Sequence, residues 1–255
     1  MLAIVSAMLE EITGVIQALS DVKVQEFGRR QFHIGRMHGV DVVAVFSRYG
    51  KVAAAATVTQ LLTAYPVTRL IFGGVAGGTR PGLAIGDIVI ATDLVQHDMD
   101  ASPLFPRYEV PLLGKARFAA DAELRVELAV AAKIFVEQDL GSYVNAAQRA
   151  FFKMTAPKVV EGLVASGDKF FASRGEVQEL MQRLPDVCCV EMEGAAVAQV
   201  CDEYGIPFAV VRTISDSADE NSVHDFPRFA REVARHYCKG VLSRYLRLAG
   251  VPQSG

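Results

Sequence analysis

The residues able to do chemistry in this chain gather just past apolar runs. Glu10 and Glu11 follow Leu2–Val5, Glu191 and Glu193 follow Val187–Val190, and Asp168 and Lys169 follow Val159–Ala165. Arg212, Ser215 and Asp216 stand at the end of Phe208–Thr213. A rim of carboxylates disfavours anionic substrates and favours a transition state that develops positive charge. Glycosidic cleavage passes through such an oxocarbenium-like state, usually with a paired acid and base. Crowded carboxylates raise one another's pKa, which makes a proton donor available near neutrality. Each acid also has a plainer reading. Glu10, Glu11 and Glu193 suit helix N-termini, where the macrodipole favours negative charge, and Asp216 suits a cap or turn.

Short β-branched runs alternating with amphipathic ones must position these groups. Strands are expected at Leu2–Val5, Gln31–Ile34, Val40–Phe46, Arg69–Phe72, Asp87–Ala91, Val159–Ala165, Val187–Val190 and Phe208–Thr213. Helices are expected at Glu10–Leu19, Val52–Tyr65, Ala119–Phe135, Arg174–Arg183, Glu193–Tyr204 and Phe226–Leu248, the last stopped by Gly250 and Pro252. This alternation predicts an α/β fold: a single domain over residues 1–255, three layers α/β/α, around a central mixed, mostly parallel sheet. In such sheets ligands bind beyond the carboxyl ends of the strands, where the acids fall. The least regular stretch, His97–Gly114, carries Pro103, Pro106 and Pro111 and reads as a functional loop or a plain crossover.

The 255 residues are 51% hydrophobic and 22% charged with a net charge of −3, so disorder and phosphate-neutralising nucleic-acid binding are both disfavoured. No apolar run reaches the roughly 18 residues of a membrane span. The N-terminal MLAIVSAMLEEI lacks a basic leader region and reads as a buried strand. Cys188, Cys189, Cys201 and Cys238 form no C-x-x-C pair and are expected as reduced core thiols in a cytoplasmic protein.

Several motifs are missing. Gly73–Gly78 lacks the dinucleotide spacing because position 75 is Val, and Gly50-Lys51 is followed by Val52, so no phosphate loop is formed. The five histidines show no metal-ligand spacing; His97, Asp98 and Asp100 read as a loop network. No cofactor or metal is expected. The glycine run reads either as a turn that brings backbone N–H groups close to a ligand or as a tight strand-to-helix turn.

Eight segments together resemble the 5′-methylthioadenosine/S-adenosylhomocysteine nucleosidases of the wider nucleoside phosphorylase/hydrolase superfamily. They are AMLEEI (7–12), GKVAAA (50–55), GGVAGG (73–78), GDIVIATD (86–93), QHDMDAS (96–102), SGDKF (166–170), VEMEGAAVAQVC (190–201) and VVRTISDSAD (210–219). The resemblance implies hydrolysis of the N-glycosidic bond of 5′-alkylthio adenosines. It implies that Asp216, oriented by Ser215, protonates adenine and that Glu11 activates water. Glu193 would bind the ribose hydroxyls, Met192 would pack on the sugar, and Arg212 would help hold the water and the acids. Phe170 would stack on the purine, the backbone near Phe171 would read its edge, and Val75 and Gly77 would belong to the glycine-run wall. It also implies a homodimer, with the 97–111 loop and candidates Leu104, Phe105 and Pro111 closing the partner's 5′ pocket. The expected partner is thus a small purine nucleoside, not nucleic acid or membrane.

Three features depart from the family pattern. Val75 stands where a hydroxyl residue is usual, Arg48-Tyr49 replaces a small and then an aliphatic residue, and residues 141–158 look extended, with AQRAFFKM as an added helix. Two other reactions remain open: phosphorolysis, with Arg48 and Arg212 as anion donors, and hydrolysis of a futalosine-type nucleoside.

Overall fold

The computed structural model describes residues 1–249; the stop signals at Gly250 and Pro252 lie outside the described residues. The chain begins with β1 (Leu2–Ser6), α1 (Leu9–Ile16), β2 (Ser20–Phe27), β3 (Arg30–Met37), β4 (Val40–Phe46), α2 (Lys51–Ala64), β5 (Arg69–Gly78), β6 (Ile88–Gln96) and β7 (Arg117–Ala119). It continues with α3 (Ala122–Ile134), α4 (Leu140–Tyr143), α5 (Ala146–Phe151), β8 (Val159–Ser166), α6 (Arg174–Arg183), β9 (Val187–Glu191), α7 (Gly194–Tyr204), β10 (Phe208–Asp216), α8 (Ser222–Phe229) and α9 (Arg235–Ala249). Wide helical turns at Phe135–Asp139 and Ala230–Ala234 link α3 to α4 and α8 to α9.

The ten strands form one mixed sheet with helices on both sides, α1, α3 and α9 packing together on one and α2 with α7 on the other. β1 runs parallel to β4 and β5, and β5 parallel to β10. β10 pairs antiparallel with β6, β6 parallel with β8, and β8 parallel with β9. β9 then returns to the far end of β5, where Gly77 faces Val190 and Gly78 faces Cys189. Strands β5, β10, β6, β8 and β9 therefore close a ring, while β1, β4, β3 and β2 extend from it as an open sheet. β1, β9 and β10 are buried along their whole length, which is why they read as continuous apolar runs rather than alternating ones.

The structure corrects the reading of the glycine run. Gly73–Gly78 makes no turn; it is the second half of β5. Side-chain-poor residues there let β9 and β10 both approach this half of β5. Two strands escaped the sequence pattern. β2 is exposed at every position, so it has no buried face to announce it, and β7 has only three residues. The last helix begins a turn earlier than expected, at Ser222, with Pro227 inside α8. The expected added helix in AQRAFFKM is α5, capped by Asn145, whose side chain accepts from the Gln148 amide at 2.9 Å.

Candidate active site

The carboxyl ends of β1, β5, β9 and β10 meet at one cavity. Glu11, in the first turn of α1, folds back over the helix N-terminus. Its Oε2 accepts from the amides of Ala7 (3.0 Å) and Met8 (2.9 Å), and its Oε1 from the Val75 amide on β5 (2.9 Å). It is thus a helix-capping acid and a cavity acid at once. Burial pushes its pKa from the ordinary 4.5 to about 6, against the pull of Arg212 and the three amides.

Glu193 immediately precedes α7 and receives the Gly50 amide on Oε1 at 2.7 Å. Burial, with the Glu191 charge beside it, pushes its pKa up to about 8. Asp216 ends β10; its Oδ2 accepts from Ser215 Oγ at 2.8 Å and its Oδ1 from the Ala218 amide at 2.9 Å. Burial raises its pKa, favouring the protonated form. Gly77 makes room for it: a Cβ at that position would stand 2.9 Å from the Ala218 Cβ and 3.1 Å from Asp216 Oδ1.

Met192, Phe170, Phe171, Val75, Gly77 and Ser215 all line the cavity with the three acids. Phe170 is half-exposed at the mouth, and its ring centroid lies 5.7 Å from that of Phe226 on α8. Phe171 packs edge-on against His97 at 5.3 Å. Two named residues lie elsewhere. Arg212 does not line the cavity. It is buried beneath it, paired with Glu191 at 2.5 Å and stacked 4.1 Å over the Phe72 ring. Although burial opposes its charge, Glu191, Glu11 and Glu193 hold it protonated. Phe105 does not line this chain's own cavity either; it lies in the 97–114 segment, where Leu104 and Leu112 are almost fully exposed.

Glu191 and Lys169, placed on the rim by the sequence but given no role there, line the cavity, as do Met8, Tyr49 and Phe226, which were not named as site candidates. Glu191 is the buried counter-ion of Arg212; it also accepts from Ser166 Oγ and from the amides of Glu193 (3.1 Å) and Gly194 (2.8 Å). Its signal was present in the E-M-E triplet, where the two acids sit at alternate positions. Phe226 had no local signal, because only the packing of α8 brings it over Phe170.

Arg48 turns away from the site: its Nη2 donates to the Arg29 carbonyl at 2.7 Å, and it does not line the cavity. Asp98 and Asp100 sit in a loop network, pairing with Lys51 and Arg107 at 2.6 Å each. Among the described residues no cluster of His, Cys, Asp and Glu is arranged to hold a metal, and no helix is long and apolar enough to cross a membrane.

The cavity wall thus carries Glu11, Glu191, Glu193 and Asp216 against one cation, Lys169. Such a wall suits a cationic transition state and a protonated leaving group. Comparison with known proteins agrees. The sequence profile of the Phosphorylase superfamily matches residues 1–247. A 5′-methylthioadenosine/S-adenosylhomocysteine nucleosidase from Chromohalobacter salexigens is 35% identical over 248 residues, covering 97% of both chains. The crystal structure of such a nucleosidase from Neisseria meningitidis, in complex with methylthio-immucillin-A, superposes with a TM-score of 0.84 at 32% identity, covering 97% of this chain and 98% of that one. Futalosine hydrolase of Helicobacter pylori superposes with a TM-score of 0.81 at 31% identity, covering 95% and 96%. The chain belongs to the phosphorylase superfamily and, within it, to the family of the 5′-methylthioadenosine/S-adenosylhomocysteine nucleosidases.

Proposed function

We propose that this protein hydrolyses the N-glycosidic bond of 5′-methylthioadenosine and S-adenosylhomocysteine, releasing adenine and the 5-thioribose product. The observation that carries the mechanism is a division of labour between two buried carboxyls in one cavity. Asp216, held by Ser215 Oγ and the Ala218 amide, has its pKa raised by burial, while Glu11, with a pKa of about 6, remains largely ionised at neutral pH. Asp216 gives its proton to N7 of adenine, so the C1′–N9 bond breaks with a neutral leaving group. Glu11 takes a proton from the water whose oxygen bonds to C1′. Net proton transfer from Glu11 to Asp216 through solvent resets the site. Glu193 holds the ribose hydroxyls, Met192 packs on the sugar, and Phe170, backed by Phe226, stacks on the purine. Arg212 acts from behind, steadying the acids through Glu191.

The wall disfavours phosphorolysis, because its lining is acidic with Lys169 as the single cation and neither Arg48 nor Arg212 lines the cavity. The exposed Leu104 and Leu112, with Phe105 outside its own cavity, support a homodimer in which the 97–111 loop closes the partner's 5′ pocket. The free thiols of Cys188, Cys189, Cys201 and Cys238 fit a reducing, cytoplasmic setting. The deciding assay incubates methylthioadenosine with the enzyme, with and without phosphate, and follows adenine. Equal release in both is expected. A strict phosphate requirement overturns hydrolysis, and cleavage of futalosine alone overturns the substrate.

A further inference from the structure

A ring of hydrogen bonds outside the cavity ends on Glu193. Lys51 Nζ donates to Asp98 Oδ1 at 2.6 Å and to Gln96 Oε1 at 3.1 Å. The other oxygen of Asp98 accepts the Asp168 amide at 2.9 Å, and Asp168 Oδ1 accepts the Lys51 amide at 2.8 Å, which closes the ring. The adjoining amide, Gly50 N–H, makes the 2.7 Å bond to Glu193 Oε1. Among the described residues this is the single hydrogen bond that the Glu193 side chain makes.

The ring therefore joins three turns, those after β4, β6 and β8. The first carries Tyr49 and Gly50, and the last carries Phe170, two residues beyond Asp168. The Lys51 ammonium is mostly shielded, with 17% of its side chain exposed, so its bonds are less open to competition from water than those of a free surface pair. A peptide at Gly50 is intrinsically free to rotate, and nothing else on Glu193 would correct it.

We propose that Asp168 and Lys51 are positioning residues for the sugar subsite. They lock the Gly50 amide onto Glu193, so that its free oxygen faces the ribose, and set the Phe170 turn at a matching distance for the purine. This rests on Glu193 as the ribose-binding group. Neither residue touches substrate. The Gly50 N–H stabilises ionised Glu193, so its loss moves that ionisation to higher pH. The groups facing Glu193 are Glu191, Arg212, Glu11 and Tyr49, and all of them stay in place in the variants below.

The test compares Asp168→Ala, Asp168→Asn and Lys51→Met with wild type, using methylthioadenosine. In Asp168→Ala, KM is expected to rise about tenfold, with a smaller change in kcat, and the acid limb of kcat/KM to move up by roughly half a pH unit. Asp168→Asn keeps an acceptor for the Lys51 amide and should return both to within about threefold of wild type. Lys51→Met should reproduce the Asp168→Ala shift, which guards against a folding defect in one variant. An unmoved acid limb and KM in Asp168→Ala and Lys51→Met overturn the proposal, as does equal impairment of the Asn and Ala variants. Wild-type kinetics in Glu193→Gln would remove the sugar role of Glu193 itself, and the proposal with it, while leaving the ring's geometry intact.

Discussion

Glu11→Gln separates the chemistry of the site from its stability. Folding moves this carboxyl from 4.5 to about 6, because burial outweighs three amide bonds and the pull of Arg212. Between these two values the folded state binds more protons than the unfolded one. Stability therefore falls as pH rises through the window, by about 2 kcal/mol in total. The Gln variant does not titrate and escapes that loss. It carries its own cost, since an amide NH₂ replaces one acceptor and leaves a buried backbone donor unpaired, at about 1–3 kcal/mol. That cost does not depend on pH. The difference in melting temperature, variant minus wild type, should therefore rise by about 3–6 °C between pH 4.5 and pH 7. Turnover should fall by roughly 10²–10⁴-fold with loss of the base, while binding of a nucleoside analogue persists. Thermal melts across pH and steady-state adenine release check both. A flat difference in melting temperature, or turnover near wild type, would refute the account of Glu11 as a buried, raised-pKa base.

Three further outcomes follow from the same geometry. Asp216→Asn should lower adenine release by roughly 10²–10⁴-fold with an unchanged melting curve, since it removes only the transferable proton. Gly77→Ala places a Cβ 3.1 Å from Asp216 Oδ1 and should cut kcat by about 10–100-fold while costing about 1–3 kcal/mol of stability, which paired kinetic and thermal measurements test. Glu191→Gln breaks the buried pair with Arg212 and should lower stability by about 3–5 kcal/mol, read as a fall in denaturation midpoint; a shift below 1 kcal/mol would count against the pairing.

Much of this protein was legible along the chain. Apolar β-branched runs marked β1, β4, β8, β9 and β10, and the acids just beyond β1, β9 and β10 marked the rim, because strand ends and helix starts are local features. Glu11, Glu193 and Asp216 share one cavity as those positions implied. What was not legible has two causes. Buried strands carry no alternation, so the sequence of β10 could not say that Arg212 points beneath the acids rather than among them. The strand pairing that closes the ring was also out of reach, since a short antiparallel match of Gly77–Gly78 with Cys189–Val190 has no local signature.

Residue types and order along one chain thus determined the α/β class and the acidic rim, and the family resemblance chose among its acids. The tertiary structure decided which acid caps, which pairs with Arg212 and which faces the substrate space. It also brought Phe226 to Phe170 and the Gly50 amide to Glu193. These assignments depend on burial and on contacts between segments far apart in sequence, and burial is what separates the pKa values of otherwise identical carboxyl groups.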